Sequence, residues 1–415
     1  MVETITLENG ARIVFEHIPY VRSVSFGLWF SVGSRRETGI QNGASHFIEH
    51  MLFKGTKSKT ASQIAEQMDE VGGQLNAFTT KESTCFYGRV LDQNLRKSVD
   101  LFADMLFHSN FAEEDIDAER QIIFEEIDMY EDSPDDLVSE VLLEAVFPDS
   151  ALGRPILGTK ETLRAFSRDL LLSYKEENFT GERFVFALSG NFTEADISYI
   201  SDLFSKLPAG KEETVDKANF QPAFVLREKE IEQNHLCLLL PGLHYNHEDR
   251  YAAQLFSNIL GGGMSSRLFQ ELREELGLCY SVYSFGASYH DVGAFGIYLA
   301  LNRENEEKAL EKILEILRDL KENGVSQTEL ERANSQVKTS VLLSLESTSA
   351  RMNRMGRNAL HRGHIPTAEE VIANYDAVST EDVQALSKRL LDFSKLSFSA
   401  VGKVNQVEQY RSWLQ

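Results

Sequence analysis

His46 and His50 stand four residues apart with Glu49 between them, in the run His46-Phe47-Ile48-Glu49-His50. On a helix, residues at that spacing share one face with Cβ atoms about 6 Å apart, so both imidazoles can reach one ion. Glu49 shares that general side and can reach a water bound to the ion. The order is the reverse of the more familiar His-Glu-x-x-His, and the reversed order is itself a zinc signature. Two histidines at helical spacing are also ordinary surface residues, so a third ligand is the discriminating requirement. Catalytic zinc usually takes three protein ligands and leaves a fourth position open. The stretch Glu119-Arg120-Gln121-Ile122-Ile123-Phe124-Glu125-Glu126 offers candidates. Glu119 and Glu126 are seven residues apart, two turns along one helix face, so Glu126 could ligate and Glu119 support it. Taken alone, these carboxylates read better as the solvated face of an acidic helix.

The elements that must position these residues can be read from periodicity. Val24, Phe26, Leu28, Phe30 and Val32 alternate with smaller residues and Trp29, the period-2 pattern of a half-buried strand. A helix beginning near His46, a second over residues 60–71, a Gly72-Gly73 break and a return to strand character over 75–90 follow, then helices over 94–107 and 115–129. The second half repeats this order. Strand character returns at 235–240, helices at 250–260 and 266–276, and strands at 280–289 and 294–301. Residues 44–52 align with 252–260 at an offset of 252 − 44 = 208, and the strands ending at Gly190 and Gly402 match at 402 − 190 = 212. Such similar offsets indicate a duplication. We therefore expect an α+β chain of two homologous domains, each a mainly antiparallel sheet with helices packed on one face, over residues 1–205 and 222–415. The polar stretch 206–221, with Pro208, Gly210 and Lys211-Glu212-Glu213, is the expected linker. In the alignment His46, Glu49 and His50 become Gln254, Ser257 and Asn258, so the second domain has no metal-capable groups there.

Composition sets the outer limits. Among 415 residues, Asp and Glu exceed Lys and Arg by 64 − 42 = 22, which argues against a nucleic-acid surface. The same excess reads either as a plain acidic surface or as a cavity that concentrates basic peptides. No run suits a membrane span or a secretory leader, so a soluble, cytoplasmic protein is expected. Cys85, Cys237 and Cys279 lie far apart without a Cys-x-x-Cys spacing, as free buried thiols would. Gly261-Gly262-Gly263 lacks the Lys-Ser/Thr ending of a phosphate loop and reads as a helix-to-helix turn. The pairs His244 with His247 and His361 with His364 lack a companion carboxylate or cysteine pattern and read as ordinary polar positions.

In order and distance, several of these motifs together resemble the pitrilysin and mitochondrial processing peptidase family. They are His46 to Met51, Glu126 lying 126 − 50 = 76 positions after His50, Glu119 seven before it, Leu75-Asn76-Ala77-Phe78-Thr79, and Leu272 to Tyr280. The length is similar to that of the processing peptidase subunits and their bacterial relatives. The resemblance implies one Zn2+ per chain on His46, His50 and Glu126, Glu49 as general base, and Glu119 as a carboxylate supporting the site. It implies an edge strand at Asn76, Ala77 and Phe78 that pairs with extended peptide, and Arg273 with Tyr280 as holders of the substrate carbonyl. The gly-rich segment 261–263 is also similar to a shorter form of the family's glycine-rich loop. The family's chamber of four such domains implies a homodimer of this two-domain chain, with a heterodimer as the alternative. Peptides, often basic, are the expected partners, and neither nucleic acid nor membrane is. The rival reading is a non-catalytic structural subunit of the same fold, a class that typically has damaged metal motifs. A small-metabolite lyase with an inverted motif is argued against by the length and the repeat.

Overall fold

The computed structural model describes residues 2–211 and 215–414. Residues 212–214, within the expected linker, lie outside the described residues. Two sheets form. The first holds β1 (Glu3–Thr6), β2 (Arg12–His17), β3 (Ser23–Phe30), β4 (Gln74–Thr79), β5 (Thr84–Leu91) and β6 (Phe184–Gly190), in the order β1-β2-β6-β3-β5-β4. The second holds β7 (Phe224–Glu228), β8 (Asn234–Gly242), β9 (Cys279–Ser288), β10 (Gly293–Leu301) and β11 (Ser397–Gly402), in the order β7-β11-β8-β10-β9. In each sheet one pair is parallel, β2 with β6 and β7 with β11, and the remaining pairs are antiparallel. Apart from the extra β1, the two sheets have the same order and the same sense. The α+β, two-domain expectation and the internal repeat are therefore present in the topology.

The compact units do not follow the chain from end to end. The first comprises Met1–Asp128, Arg154–Asp216 and Leu343–Pro366, and the second comprises Met129–Gly153, Lys217–Leu342 and Thr367–Gln415. The helix Thr348–His361 thus packs in the first unit, on β2, β3 and β6, and the helix Pro134–Val146 packs in the second, on β7, β8 and β11. Each sheet carries a helix on the face opposite its main helical layer, so helices cover both faces and not one alone.

That second helix explains why β3 is buried on both sides and not on one. Val24, Phe26, Leu28 and Phe30 enter the main core of the first unit, while Trp29 on the other face enters a second cluster with Val14, Cys85, Met352 and Met355. Small residues make the approach possible. A Cβ on Gly27 would lie 2.7 Å from Met352 Sδ, and one on Gly356 would strike the Trp29 indole. Ser25 Oγ meets Thr348 Oγ1 at 2.9 Å, so that hydroxyl is satisfied under the helix, whereas Trp29 Nε1 is buried there without a hydrogen-bond partner. The three cysteines are buried and free. Among the described residues no helix is long and apolar enough to cross a membrane.

Candidate metal centre

The helix Ala44–Leu52 carries His46, Glu49 and His50. Phe47, Ile48, Met51 and Leu52 are at most 1% exposed and anchor it in the core, which turns the three polar side chains to the opposite side. Its start is fixed from outside the helix. Gly43 takes φ of 99°, a left-handed conformation open to glycine, and a Cβ there would lie 2.7 Å from the Leu157 carbonyl oxygen. The carboxylate of Glu37, 3% exposed, accepts the backbone N–H groups of Gly43 and Ser45, each at 2.7 Å, and the Asn42 amide at 3.2 Å. It satisfies N-terminal donors that would otherwise be buried without partners and places negative charge at the positive end of the helix. Burial pushes the Glu37 pKa up, against the pull of those donors.

One ligand atom each from His46, His50 and Glu126 lie within 4.8 Å of one another. Glu126 comes from the helix Glu113–Glu131, and its Oε2 is 3.7 Å from Nε2 of both imidazoles. Donors around one tetrahedral zinc at about 2.1 Å lie about 3.4 Å apart, so the spacing suits such an ion. The donor chemistry fits as well. Burial, then the neighbouring His50, holds the His46 pKa down at about 3, which keeps that imidazole neutral and its lone pair available. His46 Nδ1 is buried without a hydrogen-bond partner. Glu119 from the same helix accepts from His50 Nδ1 at 3.0 Å, which leaves Nε2 facing Glu126. Burial works against charge on His50, yet the Glu119 hydrogen bond and the carboxylates of Glu126 and Glu49 raise its pKa. Glu119 is only 2% exposed, and burial opposes its charge, but His50 and the Lys54 ammonium at 2.5 Å hold its pKa below the usual range.

Glu49 stands beside this group. Its Oε2 accepts a hydrogen bond from Thr79 Oγ1 at 2.5 Å. Burial raises the Glu49 pKa, while Thr79 and His50 pull it down and Glu126 adds to the rise. A carboxyl with its pKa raised toward neutrality is well suited to take and return a proton.

Asn76, Ala77 and Phe78 lie on β4, the edge strand of the first sheet, with the partner β5 on one side alone. The Ala77 N–H is met by the Asn76 side chain at 2.8 Å, and Phe78 packs edge-on to Trp29 with ring centroids 5.5 Å apart. Arg273 and Tyr280 lie in the second unit and touch each other, the guanidinium carbon being 4.6 Å from the Tyr280 ring centroid and 4.7 Å from that of Phe269. The expected helix over 266–276 winds as a π-helix over Phe269–Glu275, so Arg273 leaves it at a wider turn than an α-helix would give. Gly261 ends the helix Arg250–Gly261 and Gly262 caps it, in keeping with a turn. Among the described residues no metal-capable group of three side chains other than His46, His50 and Glu126 is present, so the remaining histidine pairs gather no ligand set. Spacing gave no sign of Glu37, Lys54 or the role of Thr79. For Thr79 a signal existed, because it ends the Leu75–Thr79 motif.

Residues 12–160 match the family described as insulinase (peptidase family M16), and residues 165–337 match the peptidase M16 inactive domain. A Bacillus subtilis protein described as the uncharacterized zinc protease YmxG is 45% identical over 391 residues, covering 94% of this chain and 96% of that one. The uncharacterized zinc protease SCO5738 of Streptomyces coelicolor is 39% identical over 420 residues, covering 99% and 91%. In three dimensions the chain resembles a Pseudomonas fluorescens structure described as a peptidase M16 inactive domain, with a TM-score of 0.91 at 21% identity over 98% of each chain.

Proposed function

The chain belongs to peptidase family M16, and from that premise we propose that it is a zinc metalloendopeptidase acting on extended or unfolded peptides. The observation that carries this reading is the convergence of His46, His50 and Glu126 beside a hydrogen-bonded Glu49. A non-catalytic subunit has no need of that set, and relatives at 45% and 39% identity are described as zinc proteases. His46, His50 and Glu126 would hold one Zn2+ per chain, with Glu119 orienting His50. Zinc held there would supply Lewis-acid polarisation of the scissile carbonyl and would make water more acidic. The Glu49 carboxylate takes a proton from the attacking water and passes it to the leaving amine. Asn76, Ala77 and Phe78 pair with the peptide backbone as an added strand, and Arg273 with Tyr280 holds the substrate carbonyl.

The same reading extends to partners. A net charge of −22 favours basic peptides, whose binding should weaken as salt rises. Free buried thiols suit a reducing compartment, the cytoplasm. We propose a homodimer, to be checked by light scattering; a monomer active at full rate would overturn it.

Metal analysis and cleavage of a mixed peptide library, read by mass spectrometry, test the function. Glu126→Gln should lose most of its zinc. Glu49→Gln should keep zinc and peptide affinity while turnover falls by a factor on the order of 10² or more. A folded Glu126→Gln protein with full zinc would hand the third ligand to another residue, and an active Glu49→Gln protein would reject the proposed base.

A further inference from the structure

Thr79 has a single hydroxyl proton, and its surroundings determine where that proton goes. Thr79 Oγ1 is 2.5 Å from Glu49 Oε2 and 3.4 Å from Thr84 Oγ1. Thr84 spends its own proton on the Val32 carbonyl at 2.8 Å. The short contact therefore goes to Glu49, and the long one is a bare oxygen–oxygen approach. Thr79 is also the last residue of β4, paired with Thr84 at the hairpin. One residue thus belongs to the edge strand and grips the carboxylate on the neighbouring helix.

The duplicated half contains a similar contact between helix and edge strand without the chemistry. At the helix offset 257 − 49 = 208 Ser257 occupies the place of Glu49, and Ser284 lies on β9, the edge strand of the second sheet as β4 is of the first. Their hydroxyl oxygens are 3.0 Å apart, and the Ser284 hydroxyl donates to the Ser257 backbone carbonyl at 2.8 Å. A polar link between helix and edge strand is thus built into both sheets. In the first unit one partner is a carboxyl group beside the metal cluster.

We propose that Thr79 is a positioning residue for the peptidase reaction, fixing the rotation of the Glu49 carboxylate to the edge strand that carries the substrate. This rests on the zinc peptidase reading. It requires Glu49 to be aimed by β4, so that the residue that takes the proton keeps a constant register with the peptide lying along that strand. With Oε2 held, Oε1 is the oxygen left to handle the proton.

Thr79→Val keeps the branched shape and the strand preference but removes the hydroxyl, and Thr79→Ser keeps the hydroxyl. Thr79→Val should lower kcat by roughly ten- to a hundredfold with KM within about threefold, as expected when a reacting group loses its orientation. Zinc retention against a chelator and the melting temperature should stay at wild-type values. Thr79→Ser should recover most of kcat, and Ser284→Ala, which breaks the similar contact, should leave kcat unchanged. Wild-type kcat in Thr79→Val would overturn the proposal. So would equal losses in Thr79→Val and Ser284→Ala, or a loss of zinc from Thr79→Val, since either would assign the bond to the scaffold. Failure of the underlying reading is seen separately, as a zinc-loaded wild type no more active than Glu49→Gln, and it would remove both.

Discussion

Glu119 is a carboxylate almost without solvent that stays ionised because it is shared between His50 and Lys54. Its value to the cluster lies in direction more than in charge, since the hydrogen bond at His50 Nδ1 leaves the Nε2 lone pair on the side of Glu126 for a metal ion. Glu119→Gln is expected to weaken zinc binding by roughly ten- to a hundredfold, measured by competition with a chromophoric chelator. Unchanged affinity would mean that packing alone orients His50. At this scale the sequence was legible only where chemistry is local. His46 and His50 share a helical turn, so spacing alone puts them on one side. Glu126 is 76 positions beyond His50, and only the pattern of a family connects them. Glu119 to His50, Thr79 to Glu49 and Glu37 to the helix start are contacts made by the folded chain, and no periodicity encodes them.

Elements were legible where one face repeats and obscure where two faces are used. β3 alternates, which reads as one buried face. The other face is buried as well, because Ser25, Gly27 and Gly356 are small enough to admit a helix against Trp29. The π-helix at Phe269–Glu275 has no signature distinct from an α-helix in residue types. A testable energetic feature lies where the helix Gln327–Ser344 begins. Burial opposes the charge of Glu329, but the Arg267 guanidinium at 2.7 Å and the Ser326 N–H and hydroxyl, each at 2.8 Å, hold its pKa down at about 2. Because the folded value lies below the ordinary 4.5, this group contributes stability above about pH 4.5 that is lost as pH falls toward 2. Urea midpoints at about pH 6 should separate wild type from Glu329→Gln, and the gap should shrink steadily below about pH 4.5 and close only at about pH 2 or lower. A gap that persists there would show that the amide disrupts packing and not an ionic lock.

For the molecule as a whole, the reading of two related α+β halves is present in the matching strand orders, but the exchange of helices is not written in either half. The helices 134–146 and 348–361 look like any apolar-faced helices in sequence, and which sheet each covers depends on the path of the chain. A chain cut after residue 211 would contain every strand of the first sheet yet lack the helix that covers Val14, Trp29, Cys85 and Val185, all of them fully buried in the intact chain. Such a fragment should bind a hydrophobic dye and melt without a sharp transition, and a peptide spanning 343–366 should suppress the dye signal. A fragment that melts cooperatively by itself would show that the exchanged helix is dispensable.

The same exchange sets a schedule for synthesis. The last strand of the first sheet ends at Gly190, but the helix that closes its second face ends at His361, 361 − 190 = 171 residues later. At the usual pace of about 5–20 residues per second, the sheet waits about 10–30 s on the ribosome with Trp29 and its neighbours uncovered. The half that carries the metal ligands is made first and finished late, so chaperone demand should peak during translation of the half that carries no metal.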